Sequence, residues 1–176
     1  MKRYKFISTF MESFQNEVHE AINILTKLFE ENDIDFIIVG GVSTFIHGYN
    51  RATEDIDIIV NSSDKHKIEN LPISYVKELS KGSFRKFKIH DVKSLYLEII
   101  YSGDSFGDKK VPELNHFTRE SKHLISLKGL IVMKLEAGRR QDLLDVVKLI
   151  EKNKLSKNYL QNEKYLELWR EVSEWW

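Results

Sequence analysis

Two aspartates one residue apart, Asp55 and Asp57, sit in the otherwise apolar run Asp55-Ile56-Asp57-Ile58-Ile59-Val60. Successive side chains of a strand point to opposite faces, so Asp55, Asp57 and Ile59 share one face while Ile56, Ile58 and Val60 share the other. The two carboxylates therefore project together from a strand with an apolar back. Their α-carbons stand about 6.6 Å apart at about 3.3 Å per residue, close enough for both side chains to reach one divalent cation. Without a cation the pair repels and resists full ionisation. Upstream, Gly40-Gly41 closes another apolar strand just before a short helical segment, where backbone N–H groups and the positive helix terminus can hold a phosphate. Ser43 could add a hydroxyl donor. The glycines match neither G-x-x-x-x-G-K-[ST], for want of the lysine, nor G-x-G-x-x-G. Alone they would read as a tight turn; the D-x-D strand that follows makes phosphate the better reading.

The elements that position these residues follow from periodicity. Phe14, Val18, Ala21, Ile22, Leu25, Leu28 and Phe29 keep the three-and-four spacing of an amphipathic helix that ends at Asn32-Asp33. Ile34 to Val39 is short and β-branched, a strand buried on both faces. Val42 to His47 has room for a short helix, which Gly48 closes in a left-handed conformation. A polar helical segment runs to about Asn70, and strands are expected near Ser83 to Ile89 and Leu95 to Tyr101, with a loop from Gly103 to Lys110. Helices follow from Ser126 to Gly138, from about Asp142, and from about Ser156 to the end. The pattern predicts a single α/β (α+β) domain over 1–176: an N-terminal helical segment (1–32), a mixed-sheet core (33–120) and C-terminal helices (121–176).

Composition narrows the function classes. With 176 residues, 41% of them hydrophobic and 31% charged, the chain can bury a substantial core. It has no cysteine, which excludes disulfides, thiolate zinc sites and cysteine nucleophiles. No apolar run approaches the roughly 18 residues of a membrane span. The basic start Met1-Lys2-Arg3-Tyr4-Lys5 is followed by an apolar stretch that Glu12 and Gln15 interrupt, so a cytoplasmic protein is expected. Zero formal net charge argues against duplex binding through a global positive field. Between Lys77 and Lys93, Lys81, Arg85, Lys86 and Lys88 alternate with Phe84, Phe87 and Ile89. That pattern reads first as a strand or hairpin with a solvated outer face and second as an RNA-binding strip.

The string Gly40-Gly41-Val42-Ser43 through Arg51-x-Thr53-x-Asp55-Ile56-Asp57-Ile58 resembles the signature of the nucleotidyltransferase superfamily related to DNA polymerase beta. Within it, the chain is most similar to small bacterial nucleotidyltransferase-like proteins that include the abortive-infection type IV toxins, whose motif also places Arg-x-Thr ahead of the aspartates. The resemblance spans roughly Ile34 to Ile150. It implies a mixed sheet flanked by helices and magnesium- or manganese-dependent transfer of a nucleoside monophosphate, from ATP or another nucleoside triphosphate, to an acceptor. Asp55 and Asp57 would bind the metal, and Glu98 is the best match to the superfamily's third carboxylate, with Asp104 as the alternative. Asp57 or Glu98 would receive the acceptor's proton. Gly40, Gly41, Ser43, Arg51 and Thr53 would contact the nucleotide. The acceptor is an RNA end, a protein or a small molecule, and the toxin likeness raises the first two. The competing class is a catalytically silent nucleotide-binding or interaction module of a toxin–antitoxin pair.

Downstream, Leu127 to Arg139 resembles the helix that follows the sheet in the same proteins. Lys134 lies on a face of it that is otherwise apolar, and a buried lysine needs an anionic partner, which triphosphate or Asp142 could supply. Arg139, Asp142 and Asp145 read as structural ion pairs, and Gln141 stands where relatives often carry lysine. His47 reads as a cap or packing residue. Trp169, Trp175 and Trp176 with Val172 form an aromatic stripe suited to core packing or to a homodimer or partner surface.

Overall fold

The computed structural model describes residues 2–80, 84–89, 95–106, 109–156, 159–160 and 163–173. The chain opens with helix α1 (Lys2–Glu30), which begins earlier than the apolar periodicity predicts. Phe14, Val18, Ala21, Leu25 and Phe29 form its buried stripe. Strand β1 (Phe36–Val39) is buried at all four positions, as its continuous apolar run requires. Helix α2 (Gly40–Ile46) starts at the first glycine and gives way to Gly48 at φ 101°. Strand β2 (Asp55–Val60) carries the aspartates. A short helical turn and α3 (Lys65–Ile68) then lead to β3 (Ile73–Ser80), β4 (Phe84–Ile89) and β5 (Tyr96–Tyr101).

The expected loop after Gly103 holds two two-residue strands, β6 (Ser105–Phe106) and β7 (Lys109–Lys110), which pair with each other. Two further strands, β8 (Arg119–Ser121) and β9 (Leu124–Ile125), complete the main sheet. Helix α4 (Leu127–Ala137) is capped by Ser126, whose Oγ accepts the Gly129 N–H at 3.1 Å, and ends at Gly138 with φ 64°. Helices α5 (Arg140–Asn153) and α6 (Glu163–Ser173) follow.

The seven-stranded sheet has the order β3-β4-β5-β2-β1-β9-β8. It is mixed: β2 runs parallel to β5, and β1 and β4 run antiparallel to those neighbours. One face, with Ile56, Ile58, Val60, Leu97, Ile99, Phe87 and Ile89, packs under α1 in the first core cluster. On the other face Ile59 and Ile100 join Leu130, Ile131, Leu135, Val146 and Leu149 of α4 and α5 in a second. Each large apolar side chain removed from water in this way contributes about 1.5–3 kcal/mol. The second face is apolar only at the ends of β2 and β5. At their starts it carries Asp55, Asp57 and Glu98. None of the helices is long and apolar enough to cross a membrane among the described residues.

Candidate active site

Register fixes the geometry of the acidic residues. Val39 pairs with Asp57, Asp57 with Glu98, and Glu98 with Lys86, so these four form one row across β1, β2, β5 and β4. Neighbouring strands lie about 4.8 Å apart, which brings the Asp57 and Glu98 side chains together from residues distant in sequence. Asp55 pairs with Tyr96 one step along the same face.

The glycine turn is shaped around Asp57. Gly40 adopts φ 64°, and a Cβ built on it would lie 1.9 Å from Asp57 Oδ2, so no other residue fits while that carboxylate keeps its place. The Gly41 N–H donates to the same oxygen at 3.3 Å. A Cβ on Gly41 would meet Thr53 Oγ1 at 2.7 Å and Arg51 Nη2 at 3.1 Å, so the Arg-x-Thr segment lies directly on the turn. The Thr53 hydroxyl donates to the Asp55 carbonyl at 3.2 Å. Ser43, expected to offer its hydroxyl to phosphate, is wholly buried, and its Oγ has no hydrogen-bond partner among the described residues. Asp104, the alternative third carboxylate, is engaged by Lys65 at 3.0 Å. His47 accordingly packs, its Nε2 2.9 Å from the Ile125 carbonyl.

The carboxylates are uneasy neighbours. Burial pushes Asp57 up to about 6; the Gly41 N–H opposes that rise, the Asp55 charge adds to it, and the charges of Lys134 and Arg139 pull it down. Glu98 is pushed up to about 7, first by burial and then by the charges of Asp57 and Asp55, against the pull of Lys86. Lys86 departs from the solvated-face reading of its strand and turns toward the carboxylates. Its ammonium donates to Asp55 Oδ1, lies 3.5 Å from Glu98 Oε1, and sits 4.4 Å from the centre of the Tyr96 ring. Burial works against its charge, but Asp55 and Glu98 outweigh that and raise its pKa. Lys88, two residues on, is exposed as a solvated strand face would have it. Lys81 falls outside the described residues, as does the side chain of Arg85.

Among the described residues no three His, Asp or Glu side chains are spaced to hold a metal ion as they stand. Two of the three carboxylates here are drawn onto Lys86. The donor chemistry nevertheless suits a hard divalent cation: oxygen ligands only, stacked on one face, with protonation favoured first by burial and then by mutual repulsion, which a cation would relieve.

Beside the row lies a second ionic cluster, built around the buried side chains of Lys134, Asp142 and Asp145. Buried Lys134 does meet a carboxylate, but the closer one is Asp145 at 2.6 Å, with Asp142 at 3.5 Å. The fully buried Asp145 also accepts from Arg51 Nε at 3.2 Å and Gln141 Nε2 at 2.9 Å. Arg139 binds Asp142 through Nε at 2.5 Å. Gln141, the departure from the lysine of relatives, thus supplies an amide donor to Asp145. Of the tryptophan stripe, Trp169 packs against the second core cluster; Trp175 and Trp176 lie outside the described residues, as does the Val172 side chain.

A family model described as "Nucleotidyltransferase of unknown function (DUF6036)" matches residues 16–170. No curated protein matches the chain. Among solved structures, an antigenic nucleotidyltransferase-like protein from Paracoccidioides brasiliensis is similar at TM-score 0.62 and 19% identity, over 92% of this chain and 89% of that one. A lincomycin-bound lincosamide antibiotic adenylyltransferase is similar at TM-score 0.55 and 17% identity, over 74% and 94%. The antibiotic-resistance factor ANT(2″)-Ia, in complex with adenylyl-2″-tobramycin, is similar at TM-score 0.54 and 12% identity, over 90% and 98%. At these identities the likeness is one of fold, and the mixed sheet flanked by helices is the one they share.

Proposed function

The chain belongs to this family of nucleotidyltransferases, and from that premise we propose that it transfers a nucleoside monophosphate from a nucleoside triphosphate to an acceptor hydroxyl at the Asp55, Asp57 and Glu98 row. The observation that carries the reading is the row itself. Asp57 is locked against the Gly40-Gly41 turn on one side and aligned with Glu98 on the other.

In this reading the triphosphate lies on the glycine side, where Arg51, Thr53, Lys134 and Arg139 cluster. Lys134 is committed to Asp145, so its share is the positive field that already reaches Asp57. Asp55, Asp57 and Glu98 would hold magnesium or manganese, which when bound supplies charge stabilisation to the reacting phosphate. The acceptor oxygen forms a bond to the α-phosphorus, the bond to pyrophosphate breaks, and the hydroxyl proton passes to a carboxylate. Glu98, beside the reacting groups on the carboxylate row, is one candidate to accept that proton. Asp57 is the other candidate.

The adenylyltransferase neighbours act on antibiotics, which adds weight to a small-molecule hydroxyl beside the RNA end and the protein side chain. A cytoplasmic setting, with nucleoside triphosphates at hand, goes with all three. One observation favours the silent reading, a nucleotide-binding partner in a toxin–antitoxin pair: Lys86 occupies Asp55 and Glu98. The experiment that separates them is incubation with each labelled nucleoside triphosphate, magnesium and a cell extract. Label transfer is expected, and Asp57→Asn should reduce it at least about a hundredfold while leaving the fold intact, because charge stabilisation of several kcal/mol depends on that ligand. No transfer to any acceptor, or normal transfer by folded Asp57→Asn, would refute the enzyme reading.

A further inference from the structure

Lys86 stands at the end of the carboxylate row away from the glycine turn, on β4, and its side chain is only 13% exposed. A lysine on a half-solvated strand ordinarily extends into water, as Lys88 does. This one instead lies over the Tyr96 ring with its ammonium between Asp55 and Glu98. The register explains why it can: Lys86 pairs directly with Glu98, and Tyr96 precedes Glu98 by two residues on the same face.

Its partners differ from those of Lys134 in one respect that matters for function. Asp145 is fully buried, whereas the side chains of Asp55 and Glu98 keep 26% and 15% of their exposure, so an ion from solvent can reach them. An ammonium on a flexible four-carbon stem is a compact point charge that can leave without rearranging the sheet. A divalent cation and the ammonium need the same oxygens and repel each other, about twice as strongly as two unit charges at the same distance near a protein surface.

We infer that Lys86 is a positioning residue, an internal counter-cation that holds Asp55 and Glu98 together before metal arrives and that an incoming divalent cation displaces. The inference rests on the metal-dependent reading of the row. It makes the metal-free site self-occupied, and it makes metal affinity a property of β4 as well as of the carboxylates.

The test uses Mn²⁺ alone, without nucleotide, and two readouts. Calorimetric titration should give Lys86→Gln about tenfold tighter Mn²⁺ binding than the parent, while Lys86→Arg, which keeps the charge, should bind like the parent. In the unmodified protein, reductive methylation followed by mass spectrometry should find Lys86 protected without Mn²⁺ and labelled several times faster with it; this readout does not depend on any variant folding. Equal Mn²⁺ affinity in parent and Lys86→Gln, weaker binding in Lys86→Gln, or Lys86 labelling that stays unchanged or slows with bound Mn²⁺ would overturn the displacement while leaving the metal site standing. Absence of Mn²⁺ binding in parent and variant alike would overturn both.

Discussion

The molecule holds two ionic clusters within reach of one another, and they are built in opposite ways. Around Asp145, three cations (Arg51, Lys134 and Arg139) face two carboxylates with short bonds, and the central carboxylate is wholly buried. Around Asp57, three carboxylates face Lys86, and two of them are held well above their ordinary range. The first cluster is satisfied and closed; the second is under-compensated and reachable. Buried charge that is fully paired is architecture, while charge left in excess beside solvent waits for a ligand. The excess signs are also complementary: surplus positive charge lies beside the glycine turn, surplus negative charge on the strand face. A nucleoside triphosphate with a divalent cation carries the same two signs in the same order.

The largest effect that tests this contrast comes from the closed cluster. Asp145→Ala leaves Lys134 buried without its nearest partner, and should lower stability to urea unfolding by about 3–5 kcal/mol. Asp55→Asn, in the open cluster, should change it far less. If Asp145→Ala proved as stable as Asp55→Asn, the Asp145 cluster would not be structural.

A smaller effect should appear as a pH dependence. Glu98 has a folded-state pKa of about 7 against an ordinary value of 4.5. The folded metal-free protein therefore prefers the protonated form, so the stability linked to Glu98 is fully present below about pH 4.5 and is lost as pH rises through 7. Glu98→Gln removes that titration, and Lys86 keeps Asp55. In chelator at pH 8 the variant should be more stable than the parent by on the order of 1–2 kcal/mol, with the gap closing toward pH 4. Thermal melts across that range measure it; a constant gap would mean that Glu98 does not titrate as its surroundings dictate.

What sequence makes legible here is whatever depends on local period. The alternation in Asp55 to Val60 placed both aspartates on one face, and the continuous apolar run before Gly40 marked a doubly covered strand. The two-residue strand β9 and the three-residue β8 are too short to carry any period, and the loop reading of Gly103 to Lys110 missed β6 and β7 for the same reason. Gly40-Gly41 signalled a turn, but the need for glycine there is tertiary, because it comes from the Asp57 carboxylate pressing on the backbone. Lys86 read as a solvated lysine because nothing local says that β4 pairs with β5 in the register that sets it against Glu98. The expected pair of Lys134 with Asp142 is present at 3.5 Å, but its shorter contact with Asp145 at 2.6 Å was not legible. Both aspartates lie early in α5, three residues apart, and only the way α4 packs on α5 decides which one is nearer to Lys134.

The smallest expected effect falls on the residue that bridges the two clusters. Arg139 bonds Asp142 in the closed cluster, yet its side chain is 76% exposed and its charge is felt at Asp57 in the open one. The Arg139 end of the pair lies in solvent and Asp142 keeps Lys134 as a second partner, so Arg139→Gln should change stability by less than about 1 kcal/mol. If its charge serves the triphosphate side of the site, the same substitution should raise KM for the nucleoside triphosphate severalfold with kcat nearly unchanged, the mark of an interaction made equally in ground and transition states. Steady-state kinetics and a urea melt on one preparation decide between the two roles. A destabilisation near that of Asp145→Ala with unaltered KM would assign Arg139 wholly to the closed cluster, and the positive surplus beside the glycine turn would shrink to Arg51 and Lys134, both already bound to Asp145.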